Sequence, residues 1–119
     1  MNNVVGITTG KAIKERGDDL RKLIRARRKA VEFMNANRQE AAEIIARVYK
    51  MEVPVIAKAI ANTGVVVEGV PYWGPGNLQF KGMDNMIRAQ KLVGAVTGDV
   101  DWSKLVDESF LPDDLKSKK

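Results

Sequence analysis

The chain has 119 residues, of which 45% are hydrophobic and 29% charged, an ordinary composition for one globular domain with a single core. No apolar run approaches the ~18–20 residues that span a bilayer, and no basic leader precedes an apolar stretch, so we expect neither a transmembrane segment nor a signal peptide. Cysteine and histidine are both absent, which excludes disulfides, thiolate nucleophiles and imidazole bases or ligands. We therefore expect no enzyme, no metal and no cofactor.

Positive charge is concentrated in residues 21–29 and, to a lesser extent, in the C-terminal tail. The net charge is +5, and six of the nine residues 21–29 are Lys or Arg. The tail 116–119 carries three more lysines, and the chain between these two stretches is mildly acidic. A local excess of this kind can attract an anionic partner such as nucleic acid.

The first ten residues predict a short strand, since residues 3–9 are β-branched and mostly apolar and Gly10 ends them. Residues 11–16 suit one or two helical turns. The rest of the chain contains no second strong strand, and an uncovered strand edge invites pairing with another copy. The apolar helix faces around Leu23, Ile24, Val31 and Ile45 also lack the sheet against which such faces normally pack. We therefore predict a homodimer or a larger homo-oligomer, held by the N-terminal strand or by these helix faces.

The spacing of apolar residues predicts three helices within residues 18–64. Asp18 suits the first turn of a long helix that runs to about Ala36. A second helix is predicted from Asn37, where the sequence Asn-Arg-Gln-Glu fits a capping box. A third begins at Pro54 and ends at the next glycine.

Arg27 is the one basic residue on the apolar face of the long helix. Its guanidinium can reach out to solvent along its stem, pair with a buried carboxylate, or contact a bound anion. The other basic residues form the opposite face, which suits either solvation or phosphate binding, and that face carries no Asn or Gln to contact bases. They are Arg21, Lys22, Arg25, Arg28 and Lys29.

Residues 65–82 predict a long loop, because they hold four of the ten glycines, directly after a fifth at position 64, and two of the four prolines. Residues 65–67 suit a short extended piece. Loops of this length in compact domains are usually functional or disordered, and the Tyr72–Trp73 pair argues against disorder. The pair can form the wall of a small-molecule pocket, or Trp73 can cover the helices as a satellite of the core.

Residues 83–111 predict the C-terminal helices, and residues 112–119 predict a polar tail. The first of these helices runs from Met83 to about Thr97, and Asp101 caps a final short helix from Trp102 to about Asp107. The aspartates between residues 99 and 114 match no metal-binding loop.

The order of these segments resembles a known family. The resemblance is carried by Leu20–Met34 in the long helix, Asn37–Ala46 in the next, and Val100–Leu111 near the end. Together they resemble the C-terminal third of periplasmic substrate-binding proteins of the nitrate/sulfonate/taurine/bicarbonate and thiamine-pyrimidine type. Gly17 and Arg38 stand where that family commonly has proline.

The resemblance implies a mainly α fold with one or two short strands, as the C-terminal fragment of a two-lobe α/β binding protein of type II. It implies the solute-binding component of an ABC-type uptake transporter, with a small organic or anionic solute in the cleft and an ABC permease as partner. The parent protein would be periplasmic, or extracellular and membrane-associated. We select candidate ligand-binding residues by their chemistry and their location, since no family motif marks them, and Arg27 is a further candidate for contact with an anion. The candidate ligand-binding residues are Thr8, Thr9, Tyr72, Trp73 and Asn77.

The alternative is a small basic helical module that binds nucleic acid or a partner protein. Phosphate binding weakens steeply as salt rises, whereas binding in an enclosed cleft responds far less. We favour the solute-binding interpretation and do not expect nucleic acid as the partner.

Overall fold

The computed structural model describes residues 5–64, 66–67 and 70–117. This part of the chain is mainly helical, which confirms the coarser prediction of the fold class. The elements in chain order are α1 (Gly10–Ala36), α2 (Arg38–Tyr49), α3 (Val53–Asn62), β1 (Val66–Val67), β2 (Val70–Pro71), α4 (Phe80–Leu92), α5 (Trp102–Leu105) and a 3-10 turn (Asp113–Leu115).

The N-terminal strand prediction is wrong for the residues that can be assessed. Residues 1–4 lie outside the described part, and residues 5–9 pair with no other described segment. Thr9 instead caps α1, because its Oγ1 accepts a hydrogen bond from the backbone N–H of Ala12 at 3.1 Å. Propensity alone does not make a strand without a neighbour, and Ile7 is 91% exposed. Pairing of this segment with a second copy stays a prediction.

Helix α1 joins the two helical stretches that the sequence predicts separately. It begins at Gly10 rather than at Asp18, and it bends at Arg16, whose backbone leaves the helical region at φ −132° and ψ 30°. The bend lies directly before Gly17, between the two predicted helical stretches. The aromatic ring of Phe110 packs against Gly17 so closely that a Cβ there would lie 2.9 Å from Phe110 Cε1.

Helices α2 and α3 pack against each other and form the hydrophobic core of their part of the chain. Alanines on α2 allow close approach of isoleucines on α3, and Met34, Ile45, Val53 and Ala57 pack around them. The buried residues are Ala41, Ala42, Ala46, Ile56 and Ile60. Pro54 lies in the first turn of α3, as predicted.

The predicted capping box at Asn37 is wrong. Its side chain makes no capping hydrogen bond to α2, and Nδ2 donates instead to the carbonyl of Phe33 in the preceding helix, at 3.3 Å. The chain leaves α2 through Lys50, which adopts a left-handed conformation (φ 53°) without being glycine. Its backbone N–H donates to the carbonyl of Ala46, which holds that conformation in place.

Two short strands lie in the glycine-rich region. Strands β1 and β2 pair antiparallel, with Val66 opposite Pro71 and Val67 opposite Val70. The predicted extended piece thus exists at residues 66–67, and residue 65 lies outside the described part. The loop is also shorter than predicted, since α4 begins at Phe80.

The C-terminal helices are shorter than the sequence predicts. Helix α4 ends at Leu92 rather than at about Thr97, because Gly94 turns the chain at φ +74°. The Asp101 cap is confirmed, since its carboxylate accepts from the backbone N–H of Ser103 at 3.0 Å. The predicted polar tail contains the 3-10 turn, which buries Leu115, and residues 118–119 lie outside the described part.

The chain divides into two compact units. One comprises Lys22–Gly76, and the other comprises Met1–Arg21 with Asn77–Lys119. The second unit is held by contacts such as that of Trp102, whose Nε1 donates to Asp84 Oδ1 at 2.6 Å. Across the described residues, no helix combines the length and the apolar character that crossing a membrane requires.

Candidate functional site

One hydrogen bond joins the basic helix to the aromatic loop. Arg27 Nη1 donates to the backbone carbonyl of Gly74 at 3.1 Å, across 47 positions of sequence. The side chain is exposed and pairs with no carboxylate among the described residues, so of the three alternatives for Arg27 the buried carboxylate partner does not hold. A guanidinium has five N–H donors, and this contact uses one of them.

The aromatic pair that precedes Gly74 is exposed. The rings of Tyr72 and Trp73 lie edge to face, with centroids 5.5 Å apart and planes at 73°. Tyr72 is 55% exposed and Trp73 is 40% exposed, and neither belongs to the hydrophobic core. The two rings form an apolar corner that we call the aromatic corner, and its position next to Gly74 ties it to Arg27.

The remaining predicted site residues lie in the other compact unit. Thr9 uses its hydroxyl oxygen as the cap of α1, which is a structural role, and Thr8 is exposed beside it. Asn77 is half-buried at the start of the second part of that unit. Of the predicted residues, the structure therefore brings the rings of Tyr72 and Trp73 together, and Arg27 reaches the backbone of the next residue, Gly74.

The basic face of α1 is partly neutralised by local pairs. Arg21 pairs with Asp18 and Arg28 with Glu32, each at 3.1 Å. Three other cations on this face are exposed and have no ion pair within the described residues. They are Lys22, Arg25 and Lys29.

Two surface depressions of the described part lie away from the aromatic corner. One, of about 400 Å³, surrounds the bend of α1 near Arg16 and extends to Phe110. The other, of about 550 Å³, follows the junction of α1 and α2 between Ala36 and Glu43. Both are open and lined mainly by polar atoms, so neither encloses a ligand.

The C-terminal aspartates serve local structure. The side-chain hydrogen bond from Lys91 lowers the pKa of Asp99, and the hydrogen bonds from Ser103 lower the pKa of Asp101. Hydrogen bonds from Ser109 likewise lower the pKa of Asp107. Lowered values keep these groups ionised at neutral pH, which does not suit a general acid. Among the described residues, no group of three or more carboxylates, histidines or cysteines could hold a metal ion.

Sequence reasoning selected the aromatic pair and Arg27 separately and missed their connection. The missing partner is the carbonyl oxygen of Gly74, a backbone group that no side-chain pattern marks. Comparisons with family models, with curated proteins and with solved structures give no match for this chain. The similarity to periplasmic substrate-binding proteins therefore stays a prediction.

Proposed function

We propose that this chain is the C-terminal part of the solute-binding component of an ABC-type uptake transporter, and that its aromatic corner forms part of one wall of the solute site. The observation that carries the proposal is the Arg27–Gly74 hydrogen bond, which ties a guanidinium to the backbone of the residue that follows two exposed aromatic rings. A wall of this kind combines an apolar surface with a directional cationic donor, as small-molecule sites commonly do.

The geometry favours a planar nitrogen heterocycle over a small inorganic anion. A flat ring can stack on Trp73 or lie against Tyr72 at the corner that the two side chains form. An acceptor group on the same solute can take one of the Arg27 N–H groups that Gly74 does not use. Nitrate or bicarbonate would use the guanidinium but leave both rings without a partner.

Exposed apolar side chains support a role within a larger protein. Val48 and Val55, for example, are 70% and 51% exposed. In a two-lobe binding protein, a second wall closes over the solute and further layers cover such surfaces.

One wall without its counterpart binds weakly, and we expect a Kd on the order of 1 mM for the chain alone. The test titrates the chain by calorimetry with an aminopyrimidine, taurine, nitrate and bicarbonate at low and physiological salt. The proposal expects the aminopyrimidine to bind with little salt dependence and the Trp73→Leu variant to lose that binding. The matched control is Trp102→Phe, which changes the tryptophan outside the corner.

The second candidate function is nucleic-acid binding, which the unpaired cations Lys22, Arg25 and Lys29 favour. A DNA duplex is therefore included in the same titrations. Neutralising several phosphates makes affinity fall steeply with salt, by about 10³ or more between 50 and 200 mM for six to ten contacts. Duplex binding with that dependence, together with no binding of any small solute, would contradict the solute-binding proposal.

A further inference from the structure

Helix α1 carries an apolar seam that the described structure leaves partly exposed. Its residues are spaced three, four and three apart, so they lie within an arc of about 80° on the helix. Leu23 at one end is 66% exposed and Phe33 at the other is 37% exposed. We call this surface the α1 seam; its residues are Leu23, Ala26, Ala30 and Phe33.

The α1 seam is only half of the apolar face that the sequence predicts. The other half is covered, since Val31 is 8% exposed and Ile24 is half-buried. The core of this unit thus accounts for one side of the helix and leaves the seam to face outward. The two central residues of the seam, Ala26 and Ala30, are exposed, so replacing them with polar residues should not disturb the packing of the core.

Cations border the α1 seam. Lys22, Arg25 and Lys29 follow one edge at helical spacing, are exposed, and have no ion pair in the described part of the chain. The single carboxylate within residues 22–36 is Glu32, which is paired with Arg28 at 3.1 Å. An apolar strip beside unpaired positive charge is typical of helices that lie at a membrane surface.

We infer that the α1 seam docks onto an anionic lipid bilayer, with α1 lying parallel to the membrane plane. Leu23 and Phe33 would enter the boundary between headgroups and acyl chains. The cations beside them would extend their apolar stems along the seam and place their charges among the lipid phosphates. The inference is independent of the solute site, because the aromatic corner contributes no residue to this surface.

Charge and chemistry favour a bilayer over the other occupants of such a face. A nucleic acid satisfies the cations but offers no apolar surface for Leu23 and Phe33. A second copy packed seam to seam would bring Lys29 and its neighbours close to identical cations, which repel one another. An anionic bilayer supplies both the apolar layer and the negative charge.

The test is co-sedimentation of the full chain with vesicles of phosphatidylcholine alone or mixed with phosphatidylglycerol. Each Lys or Arg near an anionic surface contributes about fivefold in affinity, so Lys22→Gln, Arg25→Gln and Lys29→Gln combined should weaken binding about 100-fold. The matched control combines Arg47→Gln, Lys58→Gln and Lys81→Gln, which gives the same net charge and should bind within a few-fold of the unaltered chain.

The apolar contribution is tested with Ala26→Glu and Ala30→Glu together, since both alanines are exposed and glutamate is a good helix former. This variant should keep its thermal melt and lose vesicle binding. Equal binding to both vesicle types, or equal losses in the two triple variants, would overturn the inference. So would light scattering that shows a dimer which the Ala26→Glu/Ala30→Glu variant abolishes. Because solute titrations contain no lipid, failure here leaves the solute result unaffected.

Discussion

Removing the Arg27 side chain should release the aromatic corner without unfolding the chain. The bond from Arg27 to the Gly74 carbonyl is exposed, and a hydrogen bond of this kind contributes about 0.5–1.5 kcal/mol net. At about 1 kcal/mol, the open form of the loop becomes roughly fivefold more populated. Arg27→Leu and Arg27→Ala should have the same effect, because both lose one bond to a backbone acceptor and neither leaves a buried carboxylate unpaired.

The assay is acrylamide quenching of Trp73 fluorescence in a Trp102→Phe background, which leaves one tryptophan. Quenching should rise in both Arg27 variants from the level of a 40%-exposed ring, while the melting temperature changes little. Arg25→Leu serves as the control, since that arginine is exposed on the same helix and makes no ion pair within the described residues. Unchanged quenching in both Arg27 variants would refute the reasoning, and so would unequal changes in the two.

Three further predictions concern stability. Ile60→Ala opens the α2–α3 core and should cost about 2–5 kcal/mol in chemical denaturation, whereas Val55→Ala on the exposed side should stay within about 0.5 kcal/mol. Asp101 has a lowered pKa in the folded chain, so its cap stabilises α5 above the ordinary aspartate pKa and loses that effect as pH falls through the folded value. Melts of Asp101→Ala and the unaltered chain should therefore differ at neutral pH and converge in acid. Gly17→Ala should lower the melting temperature by displacing Phe110, instead of giving the gain of up to about 1 kcal/mol usual for this change in a helix.

Helices could be predicted from the sequence where the spacing of apolar residues and the residues at the helix ends indicate the same element. Helix α3 forms where Pro54 and an apolar stripe predict it, and the Asp101 cap forms because its partner N–H is two residues away. The capping box predicted at Asn37 does not form, although it too depends only on nearby residues. The Asn37 amide donates instead to a competing acceptor in the last turn of α1. Pattern alone does not decide between two nearby partners.

Contacts between distant segments could not be predicted in the same way. The N-terminal strand was expected from propensity, but a strand exists only with a neighbour, and Thr9 instead begins a helix. The sequence predicts the parts of the candidate site separately, as a guanidinium on the apolar face of a helix and an aromatic pair in a loop. Their junction is a backbone carbonyl 47 positions away from the arginine, and only the folded chain brings the two together.

The most direct test of the solute-site proposal follows the two indole N–H signals of the chain in a ¹⁵N–¹H correlation spectrum during titration with an aminopyrimidine. Trp102 is an internal control, since its Nε1–H is committed to Asp84 at 2.6 Å. We expect the Trp73 signal to shift saturably while the Trp102 signal stays in place, and Arg27→Leu to weaken the response. A Trp73 signal that does not move, or equal shifts of both indoles, would contradict the solute-site proposal.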